Sequence, residues 1–182
     1  MGLFLSVMIV KGSSKETVES ALKQLAARNP DWELIPEDCC YSAREQGVMV
    51  LLNEACIGFD NLAQCCSKDL KCPVMLSYIY DGDYWGYYLF DHGREVDCYA
   101  AIPDYFEALS EQDLQRFAGS SEMIAVYFHV APERISKYLQ RWTPEMLESM
   151  EECYAYEGDE YSIGTDWQMA DFLEAIGWHY EW

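Results

Sequence analysis

The sequence predicts an α+β protein: a largely antiparallel sheet with packed helices, followed by an acidic helical C-terminal third. Three observations carry this. Between Val74 and Ala101, runs rich in β-branched and aromatic residues are separated by Asp81-Gly82-Asp83 and Asp91-His92-Gly93, and Asp-Gly or Gly-containing turns between such runs are strong hairpin signals. Earlier, from Ser13 to Arg28 and from Gly58 to Lys71, apolar residues recur at helical spacing. Beyond Pro103 the helical spacing returns and acidic residues dominate.

The elements follow in order. Leu3 to Val10 reads as a buried strand. Ser13-x-x-Glu16 has the form of a capping box and opens a helix with Val18, Ala21, Leu22, Leu25 and Ala26 on one stripe. Pro30 ends that helix near Arg28. Trp32 to Ile35 reads as a short extended piece, and Val48 to Leu52 as a strand. Phe59, Leu62, Ala63, Cys66 and Leu70 form the stripe of the next helix, which makes Cys66 a small core side chain rather than a reactive thiol. A three-stranded meander follows over Val74–Tyr80, Tyr84–Phe90 and Glu95–Ala101. Alternation places Trp85, Tyr87 and Leu89 on one face and Tyr84, Tyr88 and Phe90 on the other. Both faces carry aromatics, so both should be covered.

In the last third, Ser110 begins a helix with Glu111 and Asp113 in its first turn. Met123 to Val130 fits either strand or helix. Pro132 opens a helix continued by Ile135, Tyr138, Leu139 and Trp142. Pro144 opens another, with Met146, Leu147 and Met150. Tyr154 to Gly164 is an acidic, aromatic loop, and Asp166 is placed to cap a last helix with Met169, Ala170, Leu173 and Ile176 inward. The chain reads as one domain over 1–182, or as an α+β body over 1–108 with a helical acidic subdomain over 109–182.

Charge narrows the function. The 182 residues hold 12 Lys and Arg against 32 Asp and Glu, a formal net charge of -20, and after Arg141 there are eleven acidic residues and no Lys or Arg. Such a field repels phosphate backbones and anionic lipid. It argues against nucleic-acid and membrane-surface binding and favours a basic protein partner, a cation or plain solubility. The apolar start, MGLFLSVMIVKG, is too short to span a membrane and lacks the layout of a signal peptide. Its Met1-Gly2…Ser6 pattern formally fits myristoylation, but a first strand explains the same residues better. A cytoplasmic protein is expected. The eight cysteines include two vicinal pairs and no C-x-x-C, which suits reduced thiols better than a disulfide framework or a zinc site.

The chemistry-bearing motifs are sparse. Asp81-Gly82-Asp83-x-x-Gly86 matches an EF-hand loop at positions 1, 3 and 6, but Trp85 and His92 occupy the ligand positions 5 and 12. The three histidines, His92, His129 and His179, accompany no nucleophile motif, phosphate loop or H-E-x-x-H. No catalytic residue, metal or cofactor is assigned. Tyr and Trp are enriched in interface hot spots, and carboxylates steer basic partners. The candidate partner-binding residues are therefore Asp81, Asp83, Tyr84 and Trp85 at the hairpin tip, with Glu157, Asp159, Glu160 and Tyr161 in the acidic loop. One alternative is an enzyme or metal-binding protein using Asp81, Asp83, Asp91, Asp97 and Asp104, clustered in sequence around two turns. Another is a structural subunit that pairs with itself; the oligomeric state stays open.

The hairpin Y-D-G-D-Y-W-G-Y-Y-L-F-D-H-G, followed by V-D-C-Y and I-P-D-Y-F, resembles the SUKH-type immunity proteins of bacteria. The resemblance spans Val74 to Phe106. It implies a small cytosolic α+β protein that neutralises a secreted toxin, often a nuclease, by binding it without catalysis. The acidic helical tail is not part of that pattern, and no site residue is carried over from it.

Overall fold

Strand β1 (Leu5–Lys11) is apolar on both faces and sits inside the sheet rather than at its edge. The computed structural model describes residues 2–149 and 153–181. Around β1 lie α1 (Lys15–Arg28), β2 (Cys40–Arg44), β3 (Gly47–Leu51), α2 (Phe59–Leu70) and β4 (Pro73–Tyr80), continued by β5 (Tyr84–Asp91) and β6 (Arg94–Ala100). The six strands are ordered β2-β3-β1-β4-β5-β6. Val7 pairs with Leu51 and Val10 with Val48 in the antiparallel β1–β3 ladder, while Arg44 pairs with Gly47 across the antiparallel β2–β3 hairpin. The first four strands with their two helices trace the split β-α-β-β-α-β arrangement. The architecture is α+β, as the sequence predicts.

The chain forms two compact units, one of Phe4–Tyr78 and Tyr87–Val96, the other of the described residues of Met1–Leu3, Ile79–Gly86 and Asp97–Trp182. In the first, alternation sends Met8, Val10, Val48, Val50, Val74 and Leu76 into a core shared with Val18, Leu22 and Leu25 of α1 and Leu62, Ala63 and Cys66 of α2. Burial pushes the Cys66 thiol up, in keeping with its reading as a core side chain. The alternate residues Val7, Ile9, Met49, Met75 and Ser77 are equally buried, so the sheet is covered on both faces. All eight cysteines are unbridged.

Local differences from the sequence reading have simple causes. Ser14, not Ser13, caps α1: its Oγ accepts the Thr17 N–H at 3.3 Å, and Ser13 Oγ lies 3.7 Å from Cys72 Sγ. Of the expected extended piece Trp32 to Ile35, Ile35 is extended, but Trp32 closes a 3-10 turn over Pro30–Trp32 and Glu33 is left-handed at φ 51°, because Pro30 presets a helical φ. Strand β2 has no apolar alternation to betray it. Gly47, which starts β3 at φ +144°, is needed there because a Cβ would meet the Val10 carbonyl oxygen at 2.2 Å.

The second unit holds α3 (Glu111–Arg116), α4 (Ser121–Phe128), α5 (Pro144–Ser149) and α6 (Gln168–Ala175). The segment that fits either strand or helix is helical, because Ser120 caps it by accepting the Met123 N–H at 3.2 Å. After Pro132 only one 3-10 turn forms, over Pro132–Arg134. Ile135, Tyr138 and Trp142 are still buried, but the Trp142 N–H donates to the Ala101 carbonyl at 2.7 Å, which draws the chain out of any helix. Asp166 does not cap α6 with its side chain; Trp167 occupies the cap position and Met169 N–H bonds the Asp166 main-chain oxygen. Met169, Leu173 and Ile176 point inward as expected, and Ala170 is half-buried. Met150, assigned to the helix that Pro144 opens, lies outside the described residues. Among the described residues no helix is long and apolar enough to cross a membrane.

Candidate functional site

All eight residues singled out from the sequence fall in the second unit, but they do not share a role. Alternation along β5 directs Trp85 into the core, where it is 0% exposed. Its ring lies 4.9 Å from that of Tyr99 and 5.1 Å from that of Phe172, and its Nε1–H donates to Gln168 Oε1 at 3.2 Å. Trp85 is therefore a core anchor and not a docking residue. Tyr84, also buried, stacks on Tyr80 at 5.7 Å and lies 5.2 Å from the Tyr105 ring. It is the floor of a surface feature rather than the surface.

That feature is built on the β4–β5 turn. Asp81 and Gly82 are left-handed, at φ 53° and 74°. The Gly82 N–H donates to the Leu3 carbonyl and the Asp83 N–H to the Tyr80 carbonyl, each at 2.9 Å. This turn holds Asp83 at the surface, where it accepts the Tyr105 O–H at 2.5 Å. That hydrogen bond, with the negative charges of Asp83 and Asp81, pushes the Tyr105 phenol up to about 12. Phe106 stands beside it, 70% exposed, edge-on to Tyr80 at 5.2 Å and to Tyr105 at 5.1 Å. The result is an aromatic shelf with carboxylates along one side.

The acidic loop is organised by two inward carboxylates. Asp171, on α6 and 9% exposed, accepts the Glu160 N–H at 3.1 Å and the Tyr161 N–H at 2.8 Å. Asp159 accepts the Tyr138 O–H at 2.7 Å and the Tyr156 N–H at 2.9 Å. Tyr156 is held further: its O–H donates to the Glu133 carbonyl, it accepts the Lys137 N–H at 3.1 Å, and the Lys137 ammonium lies 4.9 Å over its ring. Burial raises the Asp171 carboxyl, the loop N–H groups oppose that, and the charges of Asp159 and Glu160 add to it. Tyr161 is half-buried and stacks on Trp167 at 6.0 Å. Glu157 and Glu160 are left exposed, in no ion pair among the described residues. The loop and α6 enclose a cavity of about 280 Å³ lined by Arg134, Tyr138, Tyr156, Asp159, Asp171 and Glu174.

Asp166 lies near both places. A Cβ on Gly82 would be 4.0 Å from its Oδ2, and Trp167, its neighbour in sequence, carries the stack on Tyr161. Burial raises the Asp166 carboxyl, the main-chain N–H groups of Trp167 and Asp166 oppose this, and the charge of Asp83 adds to the rise. A carboxyl raised by folding disfavours its own ionised form in the fold, so ionisation at neutral pH weakens stability. That penalty fades as pH falls through the raised value and is gone below the ordinary value of 3.8. Asp166→Asn should therefore melt slightly above wild type at neutral pH, and the gap should close on acidification. Paired melts from about pH 7 to about pH 4 check this; a gap that widens with acid contradicts it.

The aspartates clustered in sequence take different partners. Asp91 lies 2.7 Å from His92 Nδ1, Asp97 accepts the Ser120 N–H at 3.1 Å, and Asp104 pairs with Arg141 at 2.6 Å. Among the described residues no group of three or more His, Cys, Asp or Glu could hold a metal ion. Sequence reasoning missed Tyr105, Phe106, Asp166 and Asp171 as site residues. The run Asp104-Tyr105-Phe106 carried an aromatic signal, whereas nothing in the sequence marks Asp171 as the acceptor that ties down a loop ten residues away. No family model, curated protein or solved structure matches the chain.

Proposed function

We propose that this is a non-catalytic protein-binding protein that engages a basic protein through the acidic, aromatic surface of its second unit, acting in the cytoplasm as an immunity- or antitoxin-like inhibitor. The observation that carries the reading is the division of labour in the acidic loop. Asp159 and Asp171 fix the backbone from inside, and this leaves Glu157 and Glu160 exposed on a preset frame. A preorganised set of unpaired carboxylates raises the encounter rate with a cationic surface and loses little entropy on docking. The formal charge of -20 extends that attraction over the molecule. The likeness of Val74–Phe106 to SUKH-type proteins points to toxin neutralisation as the purpose, with a basic nuclease as the target class.

Affinity capture from the host lysate at about 50 and about 300 mM salt, with wild type and Glu157→Lys/Glu160→Lys in parallel, tests this. The expected result is one basic protein retained stoichiometrically by wild type at low salt and lost at high salt. With that protein purified, the double variant should associate roughly tenfold more slowly at low salt and show a flatter salt dependence. Equal on-rates for the two would remove the loop from the mechanism.

A further inference from the structure

We propose that the shelf of Tyr80, Tyr105 and Phe106 beside Asp83 is the seat for an arginine side chain projecting from the basic protein partner. The inference rests on the reading of the protein as a binder of a basic protein, and names the group it grips.

Three features point to arginine. The first is the exposed ring of Phe106, 70% open to solvent although it packs edge-on against two tyrosines. A ring fixed by its neighbours and open to water is a ready partner for a flat cation. The second is the orientation of Asp83. Its Oδ2 is held by the Tyr105 hydroxyl, while Oδ1 has no hydrogen-bond partner among the described residues. A guanidinium stacked on the rings could donate to that oxygen. The third is the charge around the shelf. Asp81 and Asp166 lie beside the same turn, and Glu107 follows Phe106 in sequence. Arg141 is engaged by Asp104. An apolar or anionic occupant would leave these carboxylates uncompensated. Arginine suits the place better than lysine because its charge is planar, weakly hydrated and able to stack while it donates.

The probe is a short glycine-spaced peptide with two arginines, compared with its lysine and citrulline counterparts. Each is titrated into the full chain and followed by aromatic ring resonances in NMR. The arginine peptide should shift Phe106 and Tyr105 saturably, the lysine peptide more weakly, and the neutral citrulline peptide hardly at all. Phe106→Ala, at a side chain exposed enough to leave the fold intact, should weaken the arginine peptide about two- to fivefold. Asp83→Asn should weaken it while leaving the ring in place. The proposal is overturned if the arginine peptide shifts only loop resonances, if citrulline binds as well as arginine, or if Phe106→Ala has no effect. Any of those outcomes would sink the shelf without touching the capture result. Loss of salt-sensitive capture with an intact Phe106 shift would instead sink the broader reading.

Discussion

Trp85→Ala should lose about 3–5 kcal/mol of stability, seen as a drop of roughly 10 °C in Tm for a chain of this size. The ring is fully buried against Tyr99 and Phe172, so its removal leaves a large cavity. The loss also has a polar part. Gln168 is 0% exposed, its Nε2 has no partner, and its Oε1 accepts from the Trp85 indole. Without the indole the whole buried amide is unpaired, and such a group costs about 1–3 kcal/mol. Trp85→Phe weights the polar part, since it loses the hydrogen bond but keeps most of the volume. Urea unfolding of both variants should therefore rank wild type, Phe, Ala in falling stability. A loss below about 1 kcal/mol for alanine would mean that the ring sits at the surface after all, as a docking residue would.

Asp171→Ala should cost about 2 kcal/mol overall and should release the acidic loop. Two main-chain N–H groups, of Glu160 and Tyr161, lose their acceptor at a place largely closed to water. The loss of a desolvated carboxylate offsets part of this, which is why the net figure is modest for two lost hydrogen bonds to a charged group. The local effect should exceed the global one. In hydrogen exchange, the amides of Glu160 and Tyr161 should exchange much faster, while those of β1 and β3 stay protected. Asp171→Asn, with one carbonyl oxygen for two donors, should fall between. If the Glu160 and Tyr161 amides exchange as slowly in the alanine variant as in wild type, Asp171 is not what holds the loop.

Much of the fold was legible because its signals are local. Helical spacing located α1 and α2 within a residue or two, and Asp-Gly and His-Gly turns located the β4–β5–β6 meander. What failed was also local in kind. The stripe Ile135, Tyr138, Leu139, Trp142 has helical spacing, but a single long-range bond from Trp142 to Ala101 outweighs it. Strand β2 lies at the sheet edge, half-exposed, and so carries no burial pattern. For the site, the sequence marked where acid and aromatic residues are dense but not which way they face. Tyr84 and Trp85 are adjacent, so the pleat sends them to opposite sides. Asp159 and Asp171 turn inward and Glu157 outward, a distinction set by contacts ten or more residues away.

The position of β1 has a consequence for how the protein is made. Of the six strands of this sheet the first to be made, β1, is an interior one, flanked by β3 on one side and β4 on the other. Its Ser-Val-Met-Ile-Val run is therefore synthesised with both edges open. One edge is covered once residues 47–51 have emerged, the other only after residues 73–80. Until then the nascent chain displays a strand of the kind that pairs with other chains. Slow translation between those two segments should therefore favour aggregation, and rapid emergence of β4 should suppress it.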